Sequence, residues 1–274
     1  MASRLDSRQA DKRAEPEALF SRVLVGVDGS PASCEAARQA AVLAEAGGDL
    51  TLLAAYDIAP ALVGGVGAGL PAYLDEELQR EVAEKAVADV REKLGSRLVR
   101  AAKVVRGCSW RELVAQAERE HDTLIAVGSH GTSRLWGIVV GSTATEVVHK
   151  APCSVLISRP AGPDFPRRIV VGVDGSPESA AGYATSSLLA ERFGAELWPV
   201  VAHGGKGVDR DLVAAIVDYY QEDLPDEPAR ALVAAAADAD LVVVGSRGLH
   251  GVKSLGSVSE RVAHQARSSV LIVR

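Results

Sequence analysis

The chain of 274 residues is poor in sulfur and in rings, with three cysteines, one methionine and only 4% aromatic residues. Cys34, Cys108 and Cys153 are odd in number, far apart and without CxxC spacing. That argues against a disulfide framework or a zinc knuckle and for free thiols in a reducing compartment, with the cytoplasm as the expected location. Positive charge is also short. Thirty Lys and Arg stand against 36 Asp and Glu, a net charge of −6, whereas a protein that grips nucleic-acid phosphates presents a basic surface. No apolar run approaches the ~20 residues that cross a bilayer. The opening MASRLDSRQADKRAEPEALF carries charge throughout and lacks the apolar centre of a secretory signal, so residues 1–20 read as a flexible lead-in. Neither nucleic acid nor membrane is an expected partner.

What the chain does have is small apolar side chains. Hydrophobic residues make up 47%, rich in alanine and valine. Packing with few rings and many methyl groups suits helices laid closely on a sheet, an α/β architecture.

The chain is also written twice. VLVGVDGSP (23–31) recurs as IVVGVDGSP (169–177), 146 residues on. LIAVGSHG (124–131) recurs as LVVVGSRG (241–248), 117 residues on; GST (141–143) is echoed by GSV (256–258), and SVLISR (154–159) by SVLIVR (269–274), both 115 residues on. Preserved order with shrinking offsets describes two copies of one domain, 21–159 and 167–274, the second truncated. RPAGPDFPR (159–167), with three prolines, places a linker at 160–166.

In the first copy, short apolar runs alternate with helical patterns. Val23–Val27, Leu50–Tyr56, Lys103–Arg106, Thr123–Val127 and Ser154–Ser158 read as strands. Residues 30–48 read as an alanine-rich helix closed by Gly47 and Gly48, and 74–94 as a helix with apolar residues at four-residue steps. Ser109-x-x-Glu112 reads as a capping box opening a helix to about Glu120, and a fourth helix is expected over 143–150. Strands separated by helices imply right-handed parallel crossovers and a doubly wound, Rossmann-like sheet. In the second copy one helix is expected near 210–221 and no third strand. The strands at 154–158 and 269–273 close their copies and read as sheet edges that need cover.

In such a sheet, ligands lie beyond the carboxyl ends of the strands where strand order reverses. GVDGS follows strand one, and GSHGTSRLWGIVVGST (128–143) follows strand four. Facing one crevice, Asp28 can accept hydrogen bonds from a ribose or a base edge, and Gly128 and Gly131 let the backbone approach a polyphosphate. Gly141, Ser142 and Thr143 open a helix whose free amides favour an anion. Each piece also has a ligand-free reading. The glycines turn the chain, Asp28 is a turn residue, Ser142 is an N-cap, and Thr143-x-x-Glu146 closes a capping box.

The segment resembles the universal stress proteins, members of the adenine-nucleotide-binding α/β superfamily (the adenine-nucleotide alpha hydrolase-like fold). Their ATP-binding subgroup carries G-2x-G-9x-G-(S/T), met here by Gly128, Gly131, Gly141 and Ser142; VGVDGSP and APCSVLISR resemble the family too. The resemblance covers about 22–159 and, less completely, 167–274. It implies ATP as ligand, with Mg²⁺ or Mn²⁺ as an optional companion. It implies that Gly26 and Asp28 line the adenosine site and that Ala55 offers backbone groups to adenine. Gly128, Gly131, Gly141, Ser142 and Thr143 would meet ribose and phosphates, with Arg134 as a charge partner. In the second copy Asp174, Ala202, Gly245, Gly248, Gly256 and Ser257 would form a weaker site, since seven residues rather than nine separate Gly248 from Gly256. The resemblance further implies that the two closing strands pair, making the chain an intramolecular pseudo-dimer, with a homodimer as a further option.

Catalytic signatures are missing: no GxSxG, HExxH or Walker lysine occurs, and the HxGH and SGGxDS motifs of related nucleotide-transferring enzymes are absent. His121, His149, His203 and His264 lack ligand spacing, so no metal site is expected, and Trp110, Trp136 and Trp198 read as packing residues. Three functions stay open: an ATP-binding regulatory module acting on a protein partner, a nucleotide-free interaction scaffold, and a slow ATP hydrolase. The first is favoured, and no enzyme activity beyond weak hydrolysis is expected.

Overall fold

The structure, a computed structural model, describes residues 19–44, 48–57, 76–95, 98–131, 140–202, 210–217, 222–224, 227–246 and 255–274. The first half contributes strands β1 (Arg22–Gly26), β2 (Asp49–Tyr56), β3 (Val99–Arg106), β4 (Leu124–Gly128) and β5 (Ser154–Ser158). Its helices are α1 (Pro31–Ala44), α2 (Glu76–Leu94), α3 (Ser109–Glu120) and α4 (Ser142–Lys150). The second half contributes β6 (Arg168–Gly172), β7 (Glu196–Ala202), β8 (Glu222–Leu224), β9 (Leu241–Gly245) and β10 (Ser269–Val273), with α5 (Pro177–Phe193), α6 (Arg210–Ile216), α7 (Pro228–Ala235) and α8 (Ser257–Gln265).

All strands join one ten-stranded sheet in the order β3-β2-β1-β4-β5-β10-β9-β6-β7-β8. Neighbours pair parallel within each half. At the seam β5 and β10 pair antiparallel, with Leu156 opposite Leu271. The two closing strands are therefore the middle of the sheet, where the sequence placed edges. Each covers the other's open backbone, as the family resemblance implied.

Both faces of the sheet are buried, which is why the strands read as unbroken apolar runs. Val23 and Val25 point into the layer with α1 and α2, while Leu24 points into the opposite layer with α3 and α4; all three are fully buried. Order reverses between β1 and β4, so the loops after these strands leave the sheet side by side.

Several sequence expectations need correction. β3 starts at Val99 rather than Lys103, as an edge strand whose charged residues are ion-paired, Arg100 with Asp49 (2.6 Å) and Lys103 with Glu120 (3.3 Å). A third strand does exist in the second half. Its three residues Glu222–Leu224 pair with Val200–Ala202 and are too short and too acidic to read as a strand. The helix expected at 210–221 ends at Ile216, and α7 follows unforeseen. Ser109 does not cap α3: Cys108 holds the N-cap position and makes no side-chain cap bond. Phe20, assigned to the lead-in, is buried in the core. The 160–166 connection is pinned rather than loose, with Phe165 buried under the Arg38 guanidinium, which also donates to Gly162 O at 3.2 Å. Residues 1–18, Gly47 and Leu74 lie outside the described residues.

Candidate functional site

The chain leaves β1 at Gly26 and turns at once into α1. Ser30 makes that turn: its hydroxyl accepts the Ser33 amide (3.1 Å) and its carbonyl accepts the Cys34 amide (3.1 Å), an N-cap ahead of Pro31 at the first helical position. Asp28 is held from two sides. Its Oδ1 accepts the Ser30 amide at 2.9 Å, and its own amide donates to Ser33 Oγ at 3.3 Å. Its other carboxylate oxygen is turned toward the loop after β4, where a β-carbon on Gly131 would lie 2.6 Å from Oδ2.

That loop is anchored at both ends. At its start Gly128 packs on α1, with the backbone carbon of Ala32 only 2.8 Å from where a β-carbon would be. Ser129 donates its amide to Ser158 O (3.0 Å) and accepts the Gly141 amide on its carbonyl (2.7 Å). This closure sets the start of α4 beside Gly131. Gly141 is the N-cap, with φ −62° and ψ 157° and no side-chain cap bond, so the ligand-free reading of Ser142 as N-cap does not hold. The amides of Ser142, Thr143 and Ala144 are left without intrahelical acceptors, at the positive end of the helix dipole.

Gly26, Asp28, Ala55, Gly128, Gly131, Gly141, Ser142 and Thr143 all line one open cleft of ≈ 210 Å³. Arg134 lies outside the described residues. The sequence missed the other lining residues. Leu53, Leu113 and Val127 give the cleft an apolar wall, and Ser30, Ser33, Ser109 and His130 add polar groups. Ser30 was legible as a residue before a proline-started helix; Leu113 belongs to the opposite helix layer and carried no local signal. His130, whose Nδ1 lies 2.9 Å from Ser129 Oγ, sits between the two motif glycines. No lysine or arginine is among the described lining residues, so the described groups that would attract an anion here are amide dipoles and hydroxyls. Among the described residues no group of three or more His, Cys, Asp or Glu could hold a metal.

The second half repeats much of this scaffold. Asp174 Oδ1 accepts the Ser176 amide (3.0 Å) and hydroxyl (2.6 Å), and the Asp174 amide donates to Ser179 Oγ (3.3 Å). A β-carbon on Gly245 would lie 2.7 Å from the backbone carbon of Glu178, the Gly256 amide closes on Ser246 O at 2.8 Å, and Ser257 begins α8. Two residues at the start of α8 differ: Val258 stands where α4 has Thr143, and Ser259, at the position of Ala144, donates to Gly245 O at 2.6 Å. Ala202 ends β7 and pairs with Leu224, while Gly248 lies outside the described residues.

A family model described as the universal stress protein family matches residues 19–159 and 206–274. A universal stress protein of Mycolicibacterium smegmatis is 30% identical over 286 residues, spanning 92% of this chain and 96% of its own length. One from Mycobacterium tuberculosis is 28% identical over 290 residues, with the same spans. Among solved structures, a universal stress protein from Archaeoglobus fulgidus aligns with a TM-score of 0.68 at 20% identity, covering 93% of this chain and 96% of that one. That likeness speaks for the fold. The second family match begins at 206, yet β6, α5 and β7 before it repeat β1, α1 and β2 in order and pairing.

Proposed function

The chain belongs to the universal stress protein family, and from that premise we propose that it is a regulatory protein that binds ATP in the cleft between the β1 and β4 loops. One observation supports this reading above the rest. Asp28 and the start of α4, 113 or more residues apart in sequence, open onto the same cleft as the three glycines of the ATP-subgroup spacing. The apolar wall of Leu53, Leu113 and Val127 suits a planar base, with Ala55 at the strand end supplying backbone groups to its edge. Asp28 suits a ribose hydroxyl, and the amides of Ser142 to Ala144 suit phosphate oxygens. A Mg²⁺ or Mn²⁺ carried in by the nucleotide would offset the repulsion between Asp28 and a polyphosphate; the described lining residues offer one carboxylate and no cage.

Occupancy of the cleft would shift a surface read by a protein partner. In this reading the protein turns ATP over slowly or not at all: the one described hydroxyl–imidazole pair beside the cleft joins His130 to Ser129, and Ser129 is buried and not among the lining residues. A cytoplasmic location belongs to the same proposal; among the described residues no helix is long and apolar enough to cross a membrane. A second reading, a scaffold that binds no nucleotide, draws on Gly128, whose contact with Ala32 requires glycine for packing alone.

Releasing small molecules from the purified protein by heat and identifying them separates the two. Adenine nucleotide near one equivalent per chain is the expected result. Its absence, together with no measurable ATP affinity, leaves the scaffold.

A further inference from the structure

Two arginines occupy equivalent positions, directly after β5 and β10, and each reaches into the other half. Arg274 donates from Nη1 to Cys153 O (3.0 Å) and from Nη2 to Val148 O (2.5 Å), a carbonyl in the last turn of α4. Arg159 donates from Nη1 to Ser268 O (3.1 Å) and from Nη2 to Ala263 O (2.5 Å), a carbonyl in the last turn of α8. Their backbone amides complete the exchange. Arg159 N donates to Ser269 Oγ (3.0 Å) and Arg274 N to Ser154 Oγ (3.2 Å). All three acceptors of one arginine stand 115 residues from those of the other, the offset of the repeat itself.

The antiparallel seam makes this reciprocity possible. Because β5 and β10 run in opposite directions side by side, the end of each strand arrives beside the start of the other and beneath the helix that precedes it. A guanidinium there bridges two orphan carbonyls with a planar fork and places positive charge at the negative end of the helix.

The two clasps differ in depth. Arg159 is buried, 7% exposed, and its carbonyl also takes hydrogen bonds from Gln39 Nε2 (2.7 Å) and Ser269 Oγ (3.2 Å). Burial pulls its guanidinium down to about 10. Arg274 is exposed. The clasp on α4 is therefore the more easily released of the two.

We propose that Arg274 is a positioning residue for the candidate cleft: from the second half it holds the C-terminal end of α4, whose N-terminal end forms the anion side of the cleft in the first half. α4 is nine residues long, roughly 13 Å, so a helix loosened at one end is loosened across the site. The state of the second half then sets how firmly the first half presents the amides of Ser142 to Ala144. Binding in the first half tightens the clasp in return, since coupling between sites is reciprocal. The link to the cleft rests on the ATP reading; the clasp itself does not.

The test is amide hydrogen exchange on the full chain without nucleotide, followed by ATP titration of the same proteins. Arg274→Ala is expected to speed exchange several-fold across 142–150 and to leave 257–265 unchanged; Arg159→Ala is expected to do the reverse. Arg274→Lys, which keeps the charge and loses the fork, is expected to restore part of the protection. Arg274, being exposed, can be removed without opening a cavity, so it carries the test even where Arg159→Ala fails to fold. ATP affinity is expected to fall about fivefold or more in Arg274→Ala, the low end of ordinary site-to-site coupling. Unchanged exchange over 142–150, or equal loosening of both helices, overturns the clasp. Crossed exchange with unchanged ATP affinity overturns Arg274 as a positioning residue. If the unsubstituted protein binds no ATP, the nucleotide reading fails while the exchange pattern still decides the clasp.

Discussion

The Asp28 carboxylate stands where a side chain on Gly131 would have to go: a β-carbon at that glycine would lie 2.6 Å from Asp28 Oδ2. The loop after β1 and the loop after β4 thus meet through an atom pair that leaves no room for an intervening methyl group. Gly131→Val is expected to push the carboxylate into the cleft and abolish nucleotide retention. The contact is with the end of a side chain, so the fold should survive. Circular dichroism and a thermal scan beside the retention assay check this; retained nucleotide counts against the site.

Gly141 gives the matching control. A β-carbon there meets nothing nearer than His130 Cα at 3.4 Å, and its backbone angles suit any residue. Gly141→Ala should fold with a loss below ~1 kcal/mol, the cost of a poorer N-cap. Gly141→Val should do the same and crowd the approach to the Ser142 amide, so that retention falls. Unchanged retention in both Gly141→Val and Gly131→Val would remove the phosphate end of the site.

Gly128 is expected to behave differently. An added β-carbon would lie 2.8 Å from the Ala32 backbone, which cannot rotate away. Gly128→Ala should cost about 1–3 kcal/mol of stability by overpacking α1 against β4, read as a lower denaturation midpoint at unchanged slope.

At the other end of β4, Asp122 is buried, and its Oδ2 and Arg22 Nε have no hydrogen-bond partner among the described residues. Burial raises the Asp122 carboxyl from 3.8 to about 6, against the opposing pull of Arg22. A folded carboxyl that binds its proton more tightly than the unfolded one loses stability as pH rises from about 4 to about 6, and the loss persists above. Asp122→Asn should match the parent protein near pH 4 and exceed it by about 1 kcal/mol at pH 7. Denaturant titrations at the two pH values check the sign; equal differences at both would refute it.

Gln39 is fully buried on α1. Its Nε2 donates to Glu35 Oε1 and Arg159 O, both at 2.7 Å, and its Oε1 accepts Ser269 Oγ at 2.7 Å. Gln39→Leu should cost about 1–3 kcal/mol by unpairing polar groups at the seam, measured as a shift in denaturation midpoint.

Much of this architecture was legible because both faces of the sheet are covered. Runs such as Val23–Val25 and Leu124–Val127 have no polar side to confuse the pattern, and the repeat of VGVDGSP doubled every inference. The juxtaposition of Asp28 with Gly131 was legible too, because strand order in a doubly wound sheet reverses at a place that chain order reveals. β8 was not legible. Its three residues make strand hydrogen bonds through the backbone while offering Glu222 and Asp223 where an apolar run was sought. The capping of α3 was misread because Ser109 and Glu112 fit a capping pattern one residue out of phase with the helix. The exchange of Arg159 and Arg274 lay in plain sight as the last letter of a repeated motif. Its meaning depends on an antiparallel pairing between halves, which no local pattern encodes.

Amide hydrogen exchange of the intact chain with and without ATP and Mg²⁺ probes the cleft most directly. Added protection is expected at 26–30, 128–131 and across 141–150, and little change over 210–217. Protection confined to other segments, or none at saturating ATP, would contradict that expectation.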